Sequence, residues 1–122
     1  EDRALATTPA DELLGLPLVS RVTDTLHAYQ LSKRGNGLRV MAEAVRWAER
    51  GARVNAISPG YIATEMTGTV REDWRQAWEG MIPFGRMGTP EELAGAVIYL
   101  LSDAATYTSG ANIIIDGCFT VV

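Results

Sequence analysis

Residues 53–60 read Arg53-Val54-Asn55-Ala56-Ile57-Ser58-Pro59-Gly60. The run is short and mostly apolar, and Pro59-Gly60 halts it, which predicts a buried strand over residues 53–58. Upstream, Leu38, Met41, Ala42, Val45 and Ala48 recur on one helical face, and Arg39, Glu43, Arg46 and Arg50 fall away from it. Thr23 or Asp24 is placed to cap this helix. It is expected to run to about Arg50, with Gly51 as its C-terminal glycine. Gly35 and Gly37 each cost roughly 1 kcal/mol against Ala in a helix interior, which predicts close packing against another backbone. A buried strand directly after a helix points to an α/β layer with a parallel sheet.

Within that helix lies Tyr29-Gln30-Leu31-Ser32-Lys33. Tyr29 and Lys33 are four residues apart, so both side chains leave one face a turn apart and can act on one small molecule. Of the 11 Lys and Arg residues, Lys33 is the only lysine. A compact ammonium is a rotatable point charge that fits where a planar guanidinium does not. Beside a phenol, such a charge favours the phenolate.

Downstream, the loop at residues 59–64 leaves the strand's carboxyl end, the edge at which open α/β sheets bind ligands. Thr64 can cap the next helix, whose stripe of Met66, Val70, Trp74, Ala77, Trp78 and Met81 suits core, subunit interface or a substrate-facing lid. Thr89-Pro90-Glu91-Glu92 is a strong start signal, with proline at the first helical position and a glutamate placed to close a capping box. Leu93, Val97, Leu100 and Leu101 predict the buried face of this helix, which ends near Asp103. Asn112-Ile113-Ile114-Ile115-Asp116 reads as a second buried strand closed by Asp116-Gly117. Residues 1–22, broken by Pro9, Gly15 and Pro17, read as a surface segment with one short turn at residues 10–14. The order helix, strand, helix, helix, strand describes half of a doubly wound sheet.

Composition narrows the function. A chain of 122 residues, 47% hydrophobic, is one domain's worth and is expected to be soluble and globular. No stretch is long enough to span a membrane. The net charge of −4 and the lack of a basic cluster argue against a nucleic-acid partner. Cys118 and His27 are single residues of their kinds, which argues against a disulfide or a zinc site. The start lacks signal-peptide character, so the cytoplasm is the expected compartment.

Taken in order, the Tyr29 and Lys33 pair, residues 53–60 with Thr64, Gly85-Arg86-Met87-Gly88-Thr89-Pro90-Glu91-Glu92, Ser109-Gly110 and Asp116-Gly117 make the sequence similar to the C-terminal, catalytic half of a short-chain dehydrogenase/reductase. The resemblance covers roughly residues 24–118. It implies the C-terminal segment of a single Rossmann-type domain, an NAD or NADP cofactor, and interconversion of an alcohol and a ketone by hydride transfer. Tyr29 would be the general acid/base and Lys33 would also bond the nicotinamide ribose. Pro59, Gly60, Ile62 and Thr64 would line the nicotinamide. No metal is implied. The family's glycine-rich phosphate loop is absent, which implies a missing N-terminal half as partner. Leu16 and Pro17 stand where the family has its catalytic serine, and Ser20 is the only serine upstream of Tyr29. A homodimer or homotetramer is the corresponding assembly. Two rivals stay open: a non-catalytic remnant serving as an oligomerisation module, and a lyase or epimerase using the same tyrosine.

Overall fold

The computed structural model describes residues 1–121. Two compact units divide the chain: residues 1–56 with 107–111, and residues 57–106 with those from Asn112 onward.

In the first unit the N-terminal segment is more ordered than its prolines and glycine suggest. It forms helix α1, Asp2–Thr7, and two 3-10 turns, Leu13–Gly15 and Val19–Arg21. Leu5 and Leu18 are buried, at 7% and 8% exposure. The cause lies far along the chain. Helix α2, Thr25–Ala48, sends Arg34 to Asp2 through two bonds of 2.9 and 2.7 Å. Arg39 Nη1 donates to the carbonyls of Leu5 and Thr8, at 3.5 and 2.6 Å. These carbonyls belong to the end of α1, where the helix supplies no partner of its own. Arg39, expected to face away from the packed side, therefore caps a second helix.

Asp24, rather than Thr23, caps α2: its Oδ1 accepts the His27 N–H at 2.8 Å. Gly51 adopts φ +72°. There the Gly51 N–H donates to Ala48 and the Ala52 N–H to Trp47, both at 2.9 Å, the paired bonds of a Schellman stop. The expectation of tight backbone packing fails at both helix glycines. A Cβ on Gly35 would meet only Leu5 Cδ2 at 3.9 Å, and one on Gly37 nothing within 4 Å. The apolar stripe is also uncovered, with Met41 at 51% and Val45 at 66% exposure. Among the described residues α1 covers a different side of the helix.

The first strand starts later than its sequence suggests. Asn55 Nδ2 donates to the Thr108 carbonyl at 2.9 Å, and Asn55 Oδ1 accepts the Ala111 N–H at 3.0 Å. The Gly110 N–H donates to the Val54 carbonyl at 2.8 Å, the Asn55 side chain carries the bonds next to it, and regular pairing begins with β1, Ala56–Pro59. Its neighbour β2 is Asn112–Ile115. Ala56 N–H donates to Ala111 and Gly60 N–H to Ile115; the numbers rise together, so the pair is parallel.

In the second unit the single helix expected after Thr64 is two. They are α3, Glu65–Gly68, and α4, Glu72–Met81, divided at Gly68, whose lack of a side chain weakens any helix. Helix α5, Pro90–Leu101, begins where the capping signals place it: Glu92 Oε2 accepts the Thr89 N–H at 2.8 Å. Its expected buried face is half-covered at most, with Val97 at 38% and Leu101 at 80% exposure. A 3-10 turn, Asp103–Ala105, follows, with Ala105 fully buried. Among the described residues no helix is long and apolar enough to cross a membrane.

Candidate active site

Helix α2 delivers Tyr29 and Lys33 together. Their spacing sets both on one face, and the Lys33 Nζ stands 5.5 Å from the centroid of the Tyr29 ring. Tyr29 is 60% exposed, so the phenol is open to a reactant. The helix under it is fixed by Ser32, whose Oγ donates to the Tyr29 carbonyl at 2.7 Å. Ser20 donates to the Pro17 carbonyl at 2.7 Å, a local turn contact.

Pro59, Gly60, Ile62 and Thr64 gather in the second unit, at the carboxyl end of β1. Gly60 is there because nothing larger fits: a Cβ would lie 2.7 Å from Asp116 Cβ and 2.8 Å from its Cα. Ile62 pairs with Gly88 as an isolated parallel bridge, made by Gly88 N–H to Tyr61 and Ala63 N–H to Gly88, at 3.0 and 2.8 Å. In that pattern the bridged residue's own peptide groups point the other way. The Ile62 carbonyl accepts from Thr67 Oγ1 at 3.0 Å, and its N–H is left to bond outward. Thr64 caps α3: its hydroxyl oxygen accepts the Thr67 N–H at 3.4 Å, which leaves its O–H proton as a donor.

Within the second unit, an outward amide N–H and a hydroxyl donor are groups that suit a carboxamide; within the first, a lysine ammonium is one that suits ribose hydroxyls.

Tyr61, to which the sequence assigned no role, anchors the loop. Its ring stacks on Trp78 of α4 at 5.1 Å and meets Phe119 edge-on at 5.4 Å. The three positions are too far apart in sequence for any spacing rule to join them. Asp116 fixes the turn after β2, accepting the N–H groups of Cys118 and Thr120 at 3.0 and 2.9 Å and the Thr120 hydroxyl at 2.6 Å. These bonds, the Thr120 hydroxyl's first, hold its carboxyl below the usual carboxylate range. Among the described residues no cluster of His, Cys, Asp and Glu could hold a metal ion.

A family profile described as enoyl-(acyl carrier protein) reductase matches residues 15–120, and the chain belongs to the short-chain dehydrogenase/reductase family. It is 46% identical over 96 residues to galactitol 2-dehydrogenase (L-tagatose-forming) of Cereibacter sphaeroides, covering 77% of this chain and 38% of that protein. Against a probable NADP-dependent mannitol dehydrogenase of Yarrowia lipolytica it is 55% identical over 74 residues, covering 61% of this chain and 26% of that one. A crystal structure of a short-chain type dehydrogenase/reductase from Mycobacterium marinum matches with a TM-score of 0.73 and 44% identity, over 80% of this chain and 37% of that chain. The chain thus spans 26% to 38% of the length of these relatives. The fold expected from sequence, part of a Rossmann-type parallel sheet, agrees with these structures.

Proposed function

We propose that the chain is the catalytic segment of an NAD(P)-dependent oxidoreductase that interconverts a secondary alcohol and a ketone. The observation that carries this is the exposed phenol of Tyr29 with the Lys33 ammonium 5.5 Å from its ring. A bound NAD or NADP supplies the hydride chemistry. Tyr29 gives its proton to the carbonyl oxygen during reduction and takes one from the hydroxyl during oxidation. Lys33 stabilises the negative charge that develops on the phenol oxygen and bonds the ribose. Pro59 and Gly60 set the loop, while the Ile62 N–H and the Thr64 hydroxyl hold the carboxamide.

The phosphate-binding portion is contributed by further residues of the same enzyme. The exposed Met41 and Val45 on α2 support this, since an apolar stripe of that kind needs a covering layer. The intact enzyme is a cytoplasmic homodimer or homotetramer, and the exposed Ile98, Leu101 and Ile114, at 67%, 80% and 53%, suit a subunit contact. The polyol and sugar names of the relatives make a polyhydroxylated alcohol the first substrate to try.

The test is turnover by the intact enzyme, followed through the near-ultraviolet absorbance of reduced nicotinamide. Tyr29→Phe should abolish turnover and keep cofactor binding, read by fluorescence. Undiminished turnover in that variant sinks the assignment.

A further inference from the structure

Gly88 meets the loop at residues 59–64 through both of the peptide groups that flank it. The Gly88 N–H, in the peptide shared with Met87, donates to the Tyr61 carbonyl at 3.0 Å, and the Gly88 carbonyl, in the peptide shared with Thr89, accepts the Ala63 N–H at 2.8 Å. One ion pair holds the other end of each peptide. Arg86 Nη1 donates to the Met87 carbonyl at 3.0 Å, and Glu92 Oε2 accepts the Thr89 N–H at 2.8 Å. Two bonds of 2.9 and 2.7 Å join Arg86 to Glu92. A peptide group is planar and stiff, so fixing its outer end fixes the direction of the end that meets the loop.

Between those two loop bonds stands Ile62. Its side chain rests on Gly88, where an added Cβ would lie 2.9 Å from Ile62 Cδ1, so a shift of Gly88 carries Ile62 with it. The side chains of Arg86 and Glu92 are 53% and 43% exposed, a setting in which an ion pair adds little to stability. What the pair does hold is backbone, on both sides of the one residue that brackets Ile62.

We infer that Arg86 and Glu92 are positioning residues for the nicotinamide end of the cofactor, acting through Gly88 to aim the Ile62 N–H. The inference rests on the reading of residues 59–64 as the nicotinamide loop. In this role neither side chain touches the cofactor. Loss of the pair lets the two peptides at Gly88 turn, which weakens the bond that the Ile62 N–H offers a carboxamide. The rest of the dinucleotide, held by other parts of the intact enzyme, is unaffected.

The intact enzyme is titrated by calorimetry with NAD or NADP and, separately, with the same nucleotide lacking its nicotinamide, ADP-ribose or its 2′-phosphate. In Arg86→Ala the affinity for the nicotinamide nucleotide should fall about three- to tenfold, the worth of one hydrogen bond, with that for the truncated nucleotide unchanged. A merely structural role would weaken both alike. Arg86→Lys, whose ammonium reaches the same acceptors without the planar fork, should recover part of the loss and serves if Arg86→Ala unfolds. Gly88→Ala should give the same split by displacing Ile62 directly. Without any nucleotide, hydrogen exchange at the Ala63 and Gly88 amides should quicken in Arg86→Ala while the amides of α2 keep their rates. Equal losses for the two nucleotides, no loss, or unchanged exchange would overturn the positioning role. An intact enzyme that binds no nicotinamide nucleotide refutes the oxidoreductase reading and this inference with it; wild-type binding that Arg86→Ala leaves intact refutes the inference alone.

Discussion

The Lys33 ammonium lies 5.5 Å from the centre of the Tyr29 ring, one helical turn away. Its charge therefore bears directly on the phenol. Lys33→Ala in the intact enzyme is expected to lower kcat/KM by about 10²- to 10⁴-fold, the usual span for losing acid/base assistance. Lys33→Arg keeps the charge but changes its shape, and should recover only part of that loss. Full turnover in Lys33→Ala would place the ammonium outside the chemistry.

Gly60 and Gly95 predict opposite responses to the same methyl group. A Cβ at Gly60 would lie 2.7 Å from Asp116 Cβ, whereas one at Gly95 has nothing within 4 Å. Gly60→Ala should destabilise by about 1–3 kcal/mol through overpacking. Gly95→Ala, inside α5, should stabilise by about 1 kcal/mol through helix propensity. Urea unfolding of the two variants reads both signs.

Arg86 and Glu92 give a dependence on acid. Two bonds of 2.9 and 2.7 Å from Arg86, and then the Thr89 N–H, lower the Glu92 carboxyl from 4.5 to about 2. Its folded value lies below its unfolded one, so this contribution is complete above about 4.5 and is lost as pH falls through about 2. The midpoint of thermal unfolding should fall across that window, and less steeply in Glu92→Gln. Asp24 and Asp116, also held low by hydrogen bonds, supply part of the slope that remains. Equal slopes in the two proteins would show the pair to be idle.

Tyr61 and Trp78 stack at 5.1 Å with an interplanar angle of 15°. A double-mutant cycle with Tyr61→Leu and Trp78→Leu should return a coupling of about 0.5–1.5 kcal/mol, the range for aromatic pairs. Trp78→Leu should also raise the KM for the cofactor in the intact enzyme, since it frees the residue between Gly60 and Ile62.

What the sequence announced correctly was local. Thr89, Pro90 and Glu92 mark the start of α5 because their bonds close within one turn, and Gly51 marks the end of α2 for the same reason. Tyr29 and Lys33 were legible as a pair because helical spacing alone brings them together. What it hid was contact at a distance. Nothing near Asp2 reveals that Arg34 and Arg39 will hold α1, so residues 1–22 read as a surface segment. The break between α3 and α4 did carry a signal, Gly68, which the apolar stripe from Met66 to Met81 overrode. Tyr61, Trp78 and Phe119 meet only once the chain is folded.

Asn55 carries a peptide group sideways. Its amide gives one hydrogen to Thr108 and takes one from Ala111, as a further residue of extended chain would. Aspartate would set a second acceptor against the Thr108 oxygen, serine would fall short, and glutamine would overshoot by a methylene. The identity of position 55 is thus dictated by the dimensions of the polypeptide itself, and it would stay asparagine in a descendant that had lost every reactive group.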